Sequence, residues 1–438
     1  MINTMGAPLL ISKTSYRQSR MLMWSLLVIL HLVTSFHRVS FNVVADLLTA
    51  EFDLTGAALG NLAAAYTYMY VIMQIPGGVL VDKLGSRRIA LLTGLAMTAG
   101  SILIGLAPTA GFVFIGRMLI GFGGSVVLIN IFKFQAGWFR SSEFATMSGL
   151  ALLFSTGGAL LAAAPLALAV SAVGWRASFI YFGIFTVPVA LACLLAIRNN
   201  PREKFGSAAA MLRVETPPDE PTVVNTAVVA EILSNRRLWL PFLVNFGTYG
   251  GFIVFAGTWG VSYLVHSYGL SIEQASGFMT VAYLGYMAGA PLAGYLSDRF
   301  ESRRIPAIIM IGLVVFFWLV LAAWPGGLLP RWLLYILCAV IGFGGAATVL
   351  SFPMARAVSR PGYTGLVTAA VNSGVFLGMA ILQPLFGYIL DRGWTGMIVD
   401  GARIYPVAAY RLGFLAAFLF AAVALIAAFC YEERPPDK

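Results

Sequence analysis

Long apolar runs separated by short polar turns constrain this chain more than any other feature. The runs cover residues 21–47, 57–80, 88–108, 112–134, 144–171, 175–197, 239–265, 273–297, 304–324, 332–355, 364–390 and 407–430. An α-helix needs about 20 apolar residues to cross a bilayer, and these runs do not alternate in polarity as barrel strands do. With 59% hydrophobic and 11% charged residues, the chain could not form a mixed polar surface. The sequence predicts an all-α integral membrane protein with twelve transmembrane helices.

A short motif occurs once in each half of the chain. Gly78–Ile89 reads GVLVDKLGSRRI and Gly294–Ile305 reads GYLSDRFESRRI, each at the end of an apolar run. A second pair, Ile120–Gly124 and Ile341–Gly345, reads IGFGG both times; its glycines alone would indicate close helix packing. Since six predicted helices separate the copies, both copies have the same orientation in the membrane. We expect two parallel six-helix bundles, residues 21–197 and 239–430, around a central cavity.

Basic residues lie mostly on one side of the predicted membrane. Twenty Lys and Arg residues fall on the side of the amino terminus, and the five on the opposite side are Arg176, Arg331, Arg392, Arg403 and Arg411. The positive-inside rule therefore places the tail 1–20, the polar, Pro-rich linker 198–238 and the tail 431–438 in the cytoplasm. Residues 227–237 of the linker suit a short interfacial helix. The scattered basic residues explain the net charge of +10 without a nucleic-acid-binding face.

The first run carries a stripe of polar side chains. The stripe consists of His31, Ser35, Arg38, Asn42 and Asp46, spaced so that they share one face of a helix. A charged residue facing lipid costs about 3 kcal/mol on insertion scales. The stripe is therefore expected to face the bundle interior.

Other intramembrane polar residues are mostly uncharged or basic. They are Arg117, Asn130 and Lys133 in the fourth run and Asn245, Thr248, Tyr249, Trp259 and Tyr263 in the seventh. Asp46 is the one acidic residue placed well inside a run. Coulomb attraction in such a cavity favours an anionic substrate. The alternative is that Arg38 pairs with Asp46, or with backbone carbonyls, and only shapes its helix.

Twelve runs in two halves, a long middle loop and the repeated motif resemble the major facilitator superfamily of secondary transporters over essentially the whole chain. The first copy matches the family motif at Gly78, Asp82, Lys83, Gly85, Arg87 and Arg88 and departs from it at Ser86. The second copy keeps Gly294, Asp298, Arg299, Arg303 and Arg304 and has Glu301 in place of the second glycine. The resemblance implies alternating access, a cavity lined by the first, fourth, seventh and tenth helices, and a cytoplasmic latch in which Asp82 and the arginines join the halves. The alternative for the motif is an ordinary positive-inside turn.

The stretch Phe36–Asn42 resembles the Arg-containing first helix of organic-anion and organophosphate members. The resemblance implies that Arg38 contacts a carboxylate or phosphate of the substrate. The seventh run has no matching basic residue except His266 at its far end, so a carboxylate, a sulfonate or a carboxylate-bearing chelate is favoured over a sugar phosphate. The substrate-binding candidates are Arg38, Ser35, Asn42, Lys133, Asn130, Asn245 and Tyr249. The proton-coupling candidates are His31, Asp46 and Arg117, and another coupling ion remains the alternative.

Three other functions remain to be compared with organic-anion transport. A proton-coupled efflux pump for drugs would carry a Gly-Pro pattern in its fifth helix, and Pro165 follows Ala164 instead; Arg117 followed by Gly121 nevertheless resembles exporters of that kind. A transport-dead receptor of the same fold is the second alternative. A membrane enzyme is not supported, because the sequence has no zinc, serine-hydrolase or nucleotide motif. We expect no cofactor and no metal, with a small-molecule substrate, a coupling ion and the lipid bilayer of the inner or plasma membrane as partners of a monomer.

Overall fold

The computed structural model describes residues 13–205, 234–358 and 364–433, and it is almost entirely helical. The first half contains α1 (Lys13–Val39), α2 (Phe41–Phe52), α3 (Gly56–Ile72), α4 (Gln74–Gly105), α5 (Ala110–Trp138), α6 (Ser141–Leu161), α7 (Ala164–Val173), α8 (Trp175–Ala196) and α9 (Pro201–Phe205). Most of the expected 198–238 linker and of the interfacial helix at 227–237 lies outside the described residues.

The second half begins with a 3₁₀ turn at Arg236–Leu238. It continues with α10 (Trp239–Val254), a π-helical turn (Phe255–Trp259), α11 (Gly260–Tyr268), α12 (Ile272–Arg299), α13 (Arg304–Ala323), α14 (Arg331–Gly345), α15 (Thr348–Ala357), α16 (Thr364–Arg392), β1 (Ile398–Val399), β2 (Ala402–Arg403) and α17 (Val407–Cys430). The two strands pair antiparallel, with Ile398 opposite Arg403. They form a small hairpin between the last two helices.

Ten helices in the described residues are long and apolar enough to cross a membrane. The expected spans 57–80 and 273–297 are not among them. The first is divided between α3 and the start of α4, because the chain departs from the helix at Met73. The second coincides with α12, whose Glu273, Gln274 and several Gly, Ser and Tyr residues reduce its hydropathy.

The helices pack as two related bundles that meet along two seams. In the first half α4 packs against α5 and α8, and α1 packs against α6; in the second half α12 packs against α14, and α13 packs against α17. Between the halves, α3 packs against α16, and α12 packs against α6 and α7. The core is therefore continuous across both halves.

The repeated motif performs the same packing task in each half. Gly85 breaks α4 with φ +75 and ψ 162, and Arg87 Nε donates to the carbonyl of Leu194 near the end of α8 at 2.6 Å. In the second copy, an Arg304 guanidinium nitrogen donates to the carbonyl of Phe429 near the end of α17, also at 2.6 Å. Each copy thus ties the third predicted span of its half to the sixth.

The IGFGG segments bring helices into backbone contact. A Cβ at Gly121 would lie 2.4 Å from the carbonyl oxygen of Tyr66 on α3, and a Cβ at Gly342 would lie 1.8 Å from that of Ala282 on α12. Both distances are far below van der Waals contact, so a larger residue would push the helices apart. These two glycines act in packing, at equivalent places in the two bundles.

The motif's glycine position gives a prediction about stability. Gly85 has a backbone conformation that only glycine adopts readily, and its Cβ would lie 2.6 Å from Asn199 Oδ1. We expect Gly85→Ala to reduce the free energy of unfolding by about 1–3 kcal/mol, measured by thermal unfolding in detergent. Gly78→Ala, in a helix with nothing within 4 Å, is the control. Equal melting temperatures for the two variants would contradict the prediction.

The second copy gives the reverse expectation. Glu301 stands where the first copy has Gly85, and it has φ +48. A left-handed conformation costs a residue with a side chain about 1–2 kcal/mol. Glu301→Gly should therefore raise the melting temperature, in contrast to Gly85→Ala. A melting temperature below that of the unmodified protein would show that the Glu301 side chain compensates for its strain.

The halves contact each other mainly at one end of the bundle. We call the end that carries the termini the tail end and the opposite end the distal end. At the distal end, α3 begins against α16, and Arg403 lies 3.7 Å from Asp53 across the halves. At the tail end, the described ion pairs Arg20–Glu143 and Lys133–Asp82 each stay within the first half. The described chain is therefore closed at the distal end.

Candidate functional site

Arg38 lies at the centre of the bundle without a counter-ion. It is the penultimate residue of α1, which ends at Val39 before the chain continues as α2. Its side chain is half-buried, one guanidinium nitrogen lies 3.4 Å from Ser35 Oγ, and its buried Nε has no hydrogen-bond partner. Across the described residues, no carboxylate lies within ion-pair distance of Arg38. The alternative pairing of Arg38 with Asp46 is therefore not formed in this conformation.

Tyrosines from both halves surround this guanidinium. The Tyr249 ring centre lies 5.7 Å from the Arg38 guanidinium carbon, and Tyr66, Tyr70 and Tyr283 also lie near Arg38. The hydroxyls of Tyr66 and Tyr283 are buried without a hydrogen-bond partner. A buried donor without an acceptor is costly and rare. These hydroxyls can therefore donate to an anion placed beside Arg38.

The other members of the polar stripe differ in how they are engaged. His31 lies close enough to Arg38 for their charges to interact, and its buried Nδ1 has no partner. Ser35 makes a short hydrogen bond with Ser155 that joins α1 to α6. His31 and Arg38 thus retain free polar atoms, while Ser35 is used in helix packing.

Asn42 is bound to the π-helical turn of the opposite half. Its Nδ2 donates to the carbonyl of Ala256 at 2.7 Å, and its Oδ1 accepts from the backbone N–H of Val261 at 3.1 Å. A π turn leaves backbone groups outside the usual i to i+4 pattern. The single amide of Asn42 satisfies one acceptor in the turn and one donor on α11, and it connects α2 to the broken seventh span.

Asp46 lies further along α2, in the distal part of the interface between the halves. It accepts a hydrogen bond from Ser262 Oγ at 2.6 Å, and its Oδ2 lies 3.4 Å from His266 Nε2. Both partners are on α11 in the other half. We use the term distal seam for the contacts between the halves made by Asn42, Asp46, Ser262, His266 and Asp391. The contacts of Asp391 are given in the next paragraph.

Asp391 holds the start of α3 from the other half. Its two carboxylate oxygens accept from the backbone N–H groups of Gly56 and Ala57 at 2.6 and 2.8 Å. The hydroxyl of Tyr405 donates to the same carboxylate at 3.1 Å. An anion at a helix N-terminus is stabilised by the free N–H groups and by the helix dipole. The sequence gives no role to Asp391 or Ser262 and does not predict the partners of His266, because polar residues near span ends are common and only the fold pairs them.

Arg117 is buried and fully engaged by backbone. Its guanidinium donates to the carbonyls of His37, Ala63 and Leu62 at 2.8, 2.7 and 3.3 Å. The carbonyl of His37 lies just before the break between α1 and α2. Arg117 therefore holds that break against α3, and its described contacts are structural.

The remaining substrate-binding candidates make their hydrogen bonds and ion pairs with residues other than Arg38. Lys133 Nζ pairs with Asp82 Oδ1 at 2.6 Å and donates to the carbonyl of Val81. Asn130 donates to the carbonyl of Ser86 at 3.1 Å. Both residues join α5 to the motif turn of the same half, where Asp82 also lies.

In the second half, Asn245 is bound within its own bundle. It donates to the carbonyl of Val371 at 3.1 Å and accepts from Ser351 Oγ at 2.8 Å. The described residues therefore bring together Arg38, His31 and Tyr249. They do not bring Lys133, Asn130 or Asn245 to the same place.

The remaining motif residues are mostly at the surface of the tail end. Lys83, Arg88, Asp298 and Arg299 are exposed, and Gly294 has open space around it. Arg303 donates to the carbonyl of Pro353 at 3.1 Å. In this conformation the described contacts of the motif stay within one half.

Comparison with known proteins agrees with this architecture. The family model described as Major Facilitator Superfamily matches residues 27–263 and 242–438. The chain belongs to the Major Facilitator Superfamily.

Three of the curated relatives are named as transporters of organic acids. The probable sulfoacetate transporter SauU of Cupriavidus necator is 23% identical over 86% of this chain and 88% of that protein. The probable galactarate/D-glucarate transporter GudP of Bacillus subtilis is 23% identical over 97% and 96%. The hexuronate transporter of Bacillus subtilis is 24% identical over 88% and 89%. This superfamily member is thus similar to organic-anion branches, and its relatives are transporters rather than enzymes.

Two solved structures share the fold. A bacterial homolog of the human lysosomal transporter Spinster, in an inward-facing and occupied conformation, superimposes with a TM-score of 0.74 at 17% identity, covering 97% of this chain and 100% of that one. The nucleoside transporter NupG (D323A mutant) gives a TM-score of 0.68 at 12% identity, covering 92% and 98%. At these identities the likeness concerns the fold alone.

Proposed function

We propose that this superfamily member is a secondary carrier that moves a small organic anion by alternating access, with Arg38 as the anion-binding group. The observation that carries the proposal is the unpaired guanidinium at the centre of the bundle, between tyrosines of both halves. A cation enclosed in a bundle without a counter-ion is costly. An anionic substrate placed beside it would supply the missing charge.

The arrangement in the membrane is part of the same proposal. We place both termini in the cytoplasm of a cell with an inner or plasma membrane, because the basic loops lie at the tail end. Twelve spans follow if the divided second span and the more polar α12 also cross the bilayer. The described conformation, closed at the distal end, then faces inward. We expect the carrier to act as a monomer and to be driven by protons or another ion.

The substrate class follows from the charges beside Arg38. A planar guanidinium binds carboxylates and sulfonates through two parallel hydrogen bonds. The names of the relatives, which concern sulfoacetate, galactarate, glucarate and hexuronate, support acids of this kind. The absence of a second unpaired cation from the contacts described around Arg38 favours a substrate with one carboxylate or sulfonate at this end. A lipophilic cation, as in drug efflux, would be repelled by Arg38.

Binding and flux measurements test the proposal. The purified protein is to be screened by thermal shift against sulfoacetate, glucarate, galacturonate and lipophilic cations, and each stabilising acid is then tested for uptake into liposomes. We expect stabilisation by at least one acid and time-dependent accumulation. Binding without flux would indicate a receptor, and stabilisation by cations alone would favour efflux.

The motif turn gives a further prediction. Asp82 bonds Lys133 within one half in this conformation, and we propose that it contacts the other half when the tail end closes. A charge-assisted hydrogen bond contributes about 1.5–3 kcal/mol, so Asp82→Asn should slow transport at least about tenfold without reducing membrane insertion. Asp298→Asn, in the second copy, is the matched comparison. Unchanged transport rates in vesicles for Asp82→Asn would contradict the latch.

A further inference from the structure

The distal seam contains a buried histidine whose two nitrogens face groups of opposite halves. His266 is on α11, and its side chain is 1% exposed. Its Nε2 lies 3.4 Å from Asp46 Oδ2 of the first half, and its Nδ1 lies 2.8 Å from the Tyr410 hydroxyl of the second half. The imidazole therefore occupies the junction that must separate when the distal end opens.

We propose that the Asp46–His266 pair is a proton-binding site that controls the distal seam. The inference rests on the proposed carrier function, since alternation is what breaks the seam. An imidazole changes charge in the physiological pH range. A proton on His266 is attracted to the Asp46 carboxylate only while the seam is closed. A proton taken from distal water therefore stabilises the closed state, and no other bond changes.

The hydrogen-bonding groups around the pair tolerate this proton. Ser262 Oγ donates to Asp46 at 2.6 Å whether or not the imidazole is charged. The Tyr410 hydroxyl on α17 can donate to Nδ1 or accept from it, so its contact survives protonation. The backbone N–H of Tyr405 approaches Nδ1 at 3.5 Å, a long contact that is easily given up.

The other titratable groups near α11 are engaged elsewhere. The Tyr405 hydroxyl donates to Asp391, whose carboxylate is occupied by the start of α3. On α12, which packs against α11, the Glu273 carboxylate bonds to Ser271. The ring of Tyr263 packs against Tyr410 at 5.2 Å. Asp46 is thus the one described carboxylate within ion-pair distance of His266.

The other histidine of the polar stripe is a poorer proton site. His31 lies close enough to Arg38 for the two charges to interact, so the guanidinium would repel a proton on His31. At His266 the nearest charged group is a carboxylate, which attracts the proton. The two sites are also separate in function, because His31 lies beside the substrate anchor and His266 lies in the seam.

A distance measurement on the full chain tests the proposal without a substrate. Spin labels are attached to Thr109→Cys in the first half and Thr395→Cys in the second, two exposed positions at the distal end. The exposed Cys430 is replaced by Ser, and the buried Cys193 and Cys338 are kept. Pulsed electron-spin distances are recorded in nanodiscs between pH 5.5 and 8.5, and His266→Gln and Asp46→Asn are compared with His37→Gln, a matched buried histidine away from the seam.

We expect the short-distance, closed population to grow at least about fivefold relative to the open one as the pH falls from 8 to 6. His266→Gln and Asp46→Asn should each abolish this response, and His37→Gln should retain it. A pH response that persists in both seam variants would overturn the proposal. A wild-type protein whose distances do not change with pH would overturn it as well.

Transport then separates this proposal from the proposed function. If His266→Gln removes pH-driven accumulation in liposomes but preserves exchange of labelled for unlabelled acid, both proposals hold. If no acid moves in any variant but the seam distances respond to pH, the carrier proposal fails and the proton site stands.

Discussion

Replacing Arg38 by glutamine is expected to weaken binding of the transported acid about 30-fold or more. Removing one partner of a buried charge pair costs about 2–5 kcal/mol, and each 1.4 kcal/mol is about a factor of ten in affinity. Arg38 has no carboxylate partner among the described residues, so the substrate is its expected counter-ion. The dissociation constant is to be measured by calorimetry in detergent with the acid that gives the largest thermal shift.

Two further variants make this result specific. Arg38→Lys keeps the charge but loses the planar pair of donors, and its affinity should fall between those of the wild type and the glutamine variant. Arg392→Gln removes an exposed distal arginine that bonds Tyr388 and should bind the acid normally. Wild-type affinity in Arg38→Gln would show that the guanidinium only shapes α1.

Replacing Gly387 by alanine is expected to hold the distal end open. A Cβ at Gly387 would lie 2.0 Å from the carbonyl oxygen of Gly56 in the other half, a contact that exists only while the distal end is closed. Overpacking costs about 1–3 kcal/mol, which shifts the equilibrium between the states about 5- to 150-fold towards the open one. The distances between labels at positions 109 and 395 measure this shift, and transport should fall in parallel.

The control for this variant is Gly312→Ala. Gly312 lies in α13, and an added Cβ there would have nothing within 4 Å. It should leave both the distances and transport unchanged. A closed population as large in Gly387→Ala as in Gly312→Ala would mean that α3 and α16 can separate locally without opening the seam.

The halves and their relationship could be predicted from the sequence because they depend on local, repeated signals. The length of each apolar run and the two copies of the Asp-basic motif depend only on residues that are neighbours in the sequence. The family to which they pointed is the one that the family model matches. The division of the second span at Met73 was not predicted, although Pro76 marks it: a proline has no N–H for the carbonyl four residues earlier, here that of Ile72. The polar content of α12 likewise leaves its passage through the membrane a proposal.

The site was predictable in part. Helical spacing placed five polar residues on one face of the first span, and Arg38 and His31 do retain free polar atoms at the centre. Spacing cannot show which members of a stripe are already engaged by distant partners. Asn42 bonds a residue 214 positions away and Asp46 one 216 positions away, so their roles depend on how the halves meet. The roles of all these residues in transport stay predictions.

The π-helical turn at Phe255–Trp259 sets the rotation of everything that follows it in the seventh span. A π turn contains one residue more than an α-helical turn would need, and each residue of an α-helix rotates the chain by about 100°. Deleting Trp259 would therefore turn α11 by about that angle and carry Ser262 and His266 away from Asp46. Val261 would move in the same way, so the amide of Asn42 could no longer bond both Ala256 and Val261. The proposed proton site at the distal end thus depends on a single inserted residue, and without that residue α11 would present a different face to Asp46.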